Sequence, residues 1–356
     1  LREQLERYRR LNPDRFQFAF VDPNRDPLTI QRLQVTQNNT LVVEAGESRQ
    51  QLPQPPAPEL ESKLTPVLSK VVNRGELLAY FVQGHGEVGL EAREGTPTLA
   101  QAVAALRQEG YRVEPLNLVQ AEIPDETEVL VLAGPQRALF PGEVEKLQDY
   151  LAKGGRLLLL IGPRVDAGLD PLLEEWGVVL GDDILIEVSS VSQLLGTGPA
   201  VALVTTYGDH PITAPLAEQR LMTLFPLARS VETQAREGIQ ATPLLRSSPQ
   251  SWGETSPNLE AGPVQFDPDQ DKPGPLTLGV ALTRQVKGDQ NNSEAQESPT
   301  EARLVVIGNV NFALDGNLRQ QGNRDLFLNT VNWLTERTEQ ISIRPKSITD
   351  RRLTLT

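Results

Sequence analysis

The chain has 356 residues, no cysteine, two histidines and a formal net charge of −13. Its length predicts two or three domains with a sizeable core. The acidity argues against a nucleic-acid partner, whose phosphates reward basic surfaces. The lack of thiols excludes disulfides, thiol nucleophiles and Cys-ligated metal centres. With His85 and His210 as the only imidazoles, a His-rich metal site is impossible, and no cofactor and no metal are expected.

Charge is uneven along the chain. Residues 1–15 carry a net +2 and residues 344–356 a net +3, which leaves −18 for the middle. Basic ends on an acidic body suit a domain whose ends approach phosphate headgroups, though the ordinary fluctuation of short segments is the plainer reading. The longest apolar runs, Leu77–Val82 and Leu157–Ile161, fall far short of the ~18–20 residues that span a bilayer.

The opening LREQLERYRRL places Leu1, Leu5, Tyr8 and Leu11 on one helical face without an N-cap. A helix entered in this way is expected in a piece of a longer chain whose missing part includes a membrane anchor. Phe16–Val21 alternates aromatics and predicts a strand, Asp26-Pro27 starts a helix to Leu33, and Thr40–Val43 predicts a second strand. Prolines over 51–58 predict a stiff linker, and Glu59–Val72 resumes a helical pattern. Residues 1–75 thus form a small α/β unit.

Residues 76–335 predict a second, larger domain. Leu77–Val82, Val129–Ala133, Leu157–Ile161 and Leu304–Ile307 are continuous apolar runs, as expected of strands covered on both faces of a parallel sheet. Between them lie two amphipathic helices. One carries Leu99, Val103 and Leu106, starts at Thr96-Pro97 and ends at Gly110; the other carries Val144, Leu147 and Leu151 and ends at Gly154-Gly155. This order predicts a doubly wound α/β fold. Residues 181–300 read as an irregular insertion, 288–302 as an exposed polar loop, and Asn323 as the cap of a final helix. Residues 336–356 form a tail that leaves the domain.

The sharpest motif is Gly84-His85-Gly86-Glu87-Val88-Gly89, a G-x-G-x-x-G after a predicted strand. A dinucleotide site needs a helix to start at the last glycine, and here the helix signal comes only at Pro97. The alternative is a tight loop at the carboxyl edge of the first strand, where ligands sit in this fold class. The candidate ligand or partner loop is therefore Gly84, His85, Gly86 and Glu87, with His210 of GDHPIT as the other imidazole. His85 and Glu87 suggest an acid–base pair, a pocketless His satisfied by backbone is the plainer reading, and His210 is expected to shape a turn. No P-loop and no G-x-S-x-G elbow occur. Asn309, Asn311 and Asp315 hint at a cation loop, but their spacing is not that of an EF-hand and turn formation accounts for them as well.

The segments FVDPNRDP, YFVQGHGE, VLVLAGPQRALFPGEVEKLQDYLAKGGRLLLLIGP, DDILIE, DHPIT, FPLARSV and RLVVIGNVNFALDGNLRQQGNRDLFLNTVNWLTE resemble the Gld-type, gliding-motility-associated auxiliary family of ABC transporters. The resemblance runs in order over most of the chain. It implies an extracytoplasmic (periplasmic) region between membrane-spanning helices, with a thioredoxin-like N-terminal unit and a domain similar to class I glutamine amidotransferases. Both folds are stripped of their chemistry in that family, and this chain likewise has no C-x-x-C and no cysteine nucleophile. One departure is Asn309 and Asn311 where acidic residues are the commoner choice. The resemblance implies a non-enzymatic auxiliary subunit whose partners are a separate permease and ATPase. A ligand-sensing or hydrolytic domain built on the Gly84–Glu87 loop, and a purely structural scaffold, are the alternatives.

Overall fold

A computed structural model describes residues 2–11, 16–45, 48–53, 64, 67–68, 77–256, 265–286 and 300–336. They fall into two compact units, one built on Leu1–Glu76 and one beginning at Leu77.

The first unit contains helices α1 (Arg2–Leu11) and α2 (Pro27–Leu33) and an antiparallel hairpin of β1 (Thr40–Ala45) and β2 (Ser48–Pro53). Asp26 caps α2 by accepting the Thr29 N–H, with Pro27 opening the helix. Leu5 and Leu64 are buried among Tyr8, Phe16, Phe18, Leu41, Val43 and Leu68. Two sequence expectations fail here. Phe16–Val21 is not a strand, because among the described residues no strand lies beside it to share a hydrogen-bond ladder. Its alternation instead turns Phe16 and Phe18 to the small core and leaves Phe20 half exposed against the Arg2 guanidinium. The expected linker also starts too early, since Gln51–Pro53 pairs with Thr40–Val42 as the end of β2. Pro53 is tolerated because it is the last residue of a strand that, among the described residues, pairs on one side only. Most of the expected helix at 59–72 lies outside the described residues.

The second unit runs β3 (Leu77–Val82), α3 (Ala100–Gln108), β4 (Tyr111–Leu116), β5 (Thr127–Ala133), α4 (Pro141–Ala152), β6 (Arg156–Leu160), α5 (Asp170–Glu175), β7 (Val178–Leu180), β8 (Ile184–Ile186) and α6 (Ser190–Leu195). It continues through β9 (Val201–Val204), β10 (Thr206–Tyr207), α7 (Ala214–Glu218), β11 (Thr223–Pro226), β12 (Val231–Thr233), β13 (Ile239–Arg246), β14 (Trp252–Glu254) and β15 (Lys272–Pro273). It ends with β16 (Thr277–Val286), β17 (Thr300–Ile307) and α8 (Asn323–Leu334).

Eight strands form the central sheet in the order β10-β13-β16-β17-β6-β5-β3-β4. From β17 to β4 the neighbours are parallel; from β10 to β17 they are antiparallel. All four continuous apolar runs lie in the parallel half. The reason is visible in β5: Val129 and Val131 join α3 and α8 residues on one face, while Leu130 and Leu132 join Val144, Leu147 and Leu172 of α4 and α5 on the other. A strand with helices on both sides has no polar face, so alternation disappears from its sequence.

Residues 181–300, read as an irregular insertion, supply β10, β13 and β16 to this sheet, besides the small sheets that pair β11 with β9, β12 with β7, and β14 with β8 and β15. Thr300–Ala302, expected in a polar loop, instead open β17 opposite Val286, Gln285 and Arg284; Ala302 is buried on the α4 side of the sheet. Residues 287–299, the body of that expected loop, and the tail 337–356 lie outside the description. The helix expected from Thr96-Pro97 starts at Ala100, and Asn323 is the first residue of α8 rather than its cap. Its carboxamide is fully buried: Oδ1 accepts the Leu224 N–H, and Nδ2 faces the Leu224, Phe312 and Asn317 carbonyls. Among the described residues no helix is long and apolar enough to cross a membrane.

Candidate functional site

The chain goes from β3 to β4 on one side of the sheet, then to β5 and β6 on the other. The carboxyl ends of β3 and β5 therefore flank the topological switch point, where open α/β sheets hold their ligands. The Gly84–Glu87 loop follows β3 and the Gly134–Phe140 loop follows β5. The two are stitched together: the Gln136 and Arg137 N–H groups donate to the His85 carbonyl at 2.8 and 3.1 Å, and the Val88 N–H donates to the Ala133 carbonyl at 3.1 Å. Gly84 and Gly86 have φ of +141° and +82°, a region that side chains avoid.

At the centre stands His85, 4% exposed. Its Nε2 lies 3.0 Å from Glu143 Oε2, and the same oxygen accepts the Phe140 N–H at 2.8 Å. Glu143 is the third residue of α4, the reach-back position of a capping box. Glu87 folds under its own loop, with Oε2 accepting the Gly84 and His85 N–H groups at 2.9 and 2.7 Å. Its other oxygen stops 3.7 Å from His85 Nδ1, beyond hydrogen-bond range. The Phe140 ring meets the imidazole edge-on at 5.6 Å and is itself 61% exposed.

In this arrangement both carboxylates hold loop backbone. The side chains of His85, Glu87 and Glu143 are 5%, 1% and 4% exposed. The switch point offers Gly84, Gly86, Gln136, Arg137, Ala138 and the Phe140 ring to solvent. Glu143, Arg137 and Phe140 escaped the sequence reading. The signal for Glu143 was present in Phe140-Pro141-Gly142-Glu143, a helix start with Glu at the third position, but the identity of its second partner depends on the fold.

The dinucleotide reading also fails on geometry. Among the described residues no helix begins at Gly89. The first turn of α3 is already served by Asp315, whose Oδ1 accepts the Gln101 N–H at 2.7 Å while Oδ2 receives the Thr98 hydroxyl. Asn309 and Asn311, the cation-loop candidates, donate their amides to the Pro226 and Leu227 carbonyls, a task that needs N–H groups and that acidic residues could not perform. Among the described residues no cluster of His, Asp and Glu is arranged to hold a metal.

His210 belongs to a different place. Its Nδ1 accepts the Ile212 N–H at 3.2 Å, its carbonyl accepts the Thr213 and Ala214 N–H groups, and its ring meets Trp333 edge-on at 4.7 Å. It closes the turn into α7. Burial drives its pKa down to about 4, helped by the Arg303 charge and opposed by Asp209.

A family model described as an ABC-type uncharacterized transport system matches residues 79–332. No curated protein matches the chain. Among solved structures, one titled mmIFT52 N-terminal domain is 18% identical with a TM-score of 0.49, covering 72% of this chain and 97% of its own. A thua-like protein from Bacteroides uniformis is 14% identical with a TM-score of 0.40, covering 73% and 91%. At these scores neither likeness carries an inference.

Proposed function

We propose a function from one premise: the chain belongs to the family described as an ABC-type uncharacterized transport system. Its role is that of an auxiliary component, of the Gld type, working by contact rather than by catalysis. It stands on the extracytoplasmic side of the membrane, held by segments outside these residues, and engages a permease and an ATPase carried on separate chains. The larger unit descends from an amidotransferase-like scaffold and the smaller from a thioredoxin-like one; both have lost their chemistry, which the absence of any cysteine supports.

The observation that carries the reading is the sealed imidazole. At the edge where this fold class does chemistry, the acid–base candidates are turned inward: Glu87 and Glu143 hold backbone N–H groups, and the His85 imidazole faces Glu143. The loop that results is tied by backbone hydrogen bonds, with glycine backbone, Arg137 and an exposed Phe140 on its outer side, which suits a contact surface. In the full-length protein, a Glu237→Cys variant should react with a membrane-impermeant thiol reagent in intact cells whose outer barrier is permeable. Labelling only after the inner membrane is opened would place the domain in the cytoplasm and end this reading, as would glutamine or ATP turnover by the purified chain that His85→Ala abolishes.

A further inference from the structure

Arg229 lies in FPLARSV, a segment that the switch-point loop does not use. It is 6% exposed, and its guanidinium ties two other parts of the chain together. Nε donates to the Gly181 carbonyl at 2.7 Å, and Nη1 faces the Gly162 and Val165 carbonyls at 3.2 and 3.4 Å. Three of its five N–H groups are thereby used, all on neutral acceptors. Among the described residues Nη2 has no partner and no carboxylate forms an ion pair with the group. The nearby Asp183 is occupied by the Ser230 N–H and hydroxyl, at 2.7 and 2.5 Å, with Lys272 at 3.8 Å. A cation held this deep without a carboxylate in direct contact is unusual, because desolvating it is expensive and Asp182 and Asp183 answer it only from a distance. Burial accordingly lowers the Arg229 pKa, with Asp183 and Asp182 acting in the opposite direction.

Arg229 lines a cleft of about 840 Å³ beyond the carboxyl end of β6, on the ligand-bearing edge of the sheet and of a size that suits a small molecule. Val179 and Leu180 supply apolar wall; Asp166, Asp170, Glu174 and Asp182 stand around it with Arg164 and Arg236, whose guanidiniums already donate to the Ser256 and Glu174 carbonyls. With four carboxylates beside three guanidiniums, two of them already engaged, the lining gives a polyanion such as a nucleotide phosphate no net attraction. One free end of one guanidinium matches one carboxylate, and the wall matches an apolar body.

We propose that this cleft binds a ligand bearing a single carboxylate on an apolar body, with the carboxylate seated on Nη2 of Arg229. A free carboxylic acid and the carboxyl end of an apolar peptide share this chemistry. Calorimetric titration of the full chain with octanoate and with N-acetyl-leucyl-leucine, each beside its carboxamide, separates them. At least one acid should bind saturably, about tenfold more tightly than its amide, and which acid does so identifies the source. Arg229→Gln should weaken that binding about tenfold, but it also unties three carbonyls. Asp182→Asn leaves those ties in place and removes an exposed charge that acts on the same carboxylate; it should tighten binding roughly threefold at low salt, with the gain shrinking as salt rises. Failure of both acids to bind, equal binding of acid and amide, or an Asp182→Asn variant with unchanged affinity would overturn the proposal.

Discussion

Asp315 accepts the backbone N–H of Gln101 at 2.7 Å from 214 positions further along the chain. Its other oxygen takes the Thr98 hydroxyl, and its own N–H donates to the Thr98 carbonyl at 2.9 Å. The carboxylate thus caps α3 from the far end of the sequence and pins the segment after β17 to the start of that helix. A negative charge at a helix N-terminus is favourable both as a hydrogen-bond acceptor and toward the helix dipole. Asp315→Ala should destabilise the larger unit by about 1–2 kcal/mol. Asp315→Asn, which keeps an acceptor and loses the charge, should cost less. Urea unfolding followed by tryptophan fluorescence measures both; all three tryptophans, Trp176, Trp252 and Trp333, lie in that unit. Equal stability of wild type and Asp315→Ala would refute the capping role.

The contact between His85 and Glu143 predicts a structural phenotype. Glu143→Ala removes the acceptor shared by His85 Nε2 and the Phe140 N–H, and should cost about 2–3 kcal/mol. The loosening should be local first, with hydrogen exchange accelerating at Gln136 and Arg137, whose amides are held by the His85 carbonyl. Unchanged protection at those two amides would show that the loop is held by something else.

His210 makes stability fall on the acid side of neutrality. Its folded pKa is about 4, against 6.5 for an ordinary histidine. Between those values the unfolded chain binds a proton that the native state refuses, so stability declines as pH falls from about 6.5 towards 4. The ring is partly exposed, so the full linkage energy is discounted for solvent screening to roughly 1–2 kcal/mol. His210→Gln should flatten that part of the stability–pH curve, measured by urea unfolding at several pH values. An identical slope in the variant would assign the effect to other groups.

What the sequence determined by itself was the parallel half of the sheet and its covering helices. Buried strands such as Leu157–Leu160 and helices such as the one carrying Val144, Leu147 and Leu151 write their surroundings into local apolar spacing, because burial on two faces or on one stripe is a property of consecutive residues. The position of the Gly84–Glu87 loop at a carboxyl edge followed from the same order of elements. The tertiary structure decided everything that depends on a partner distant in sequence. Phe16–Val21 has the composition of a strand and, among the described residues, no neighbouring strand to make it one. Asn323 has the composition of a cap, yet its carboxamide is claimed by Leu224, 99 positions away. His85 could have faced solvent or Glu143, and Arg229 a carboxylate or three carbonyls. Hydrogen bonds between distant residues leave no period in the sequence, since each is fixed only when the sheet brings its two ends together.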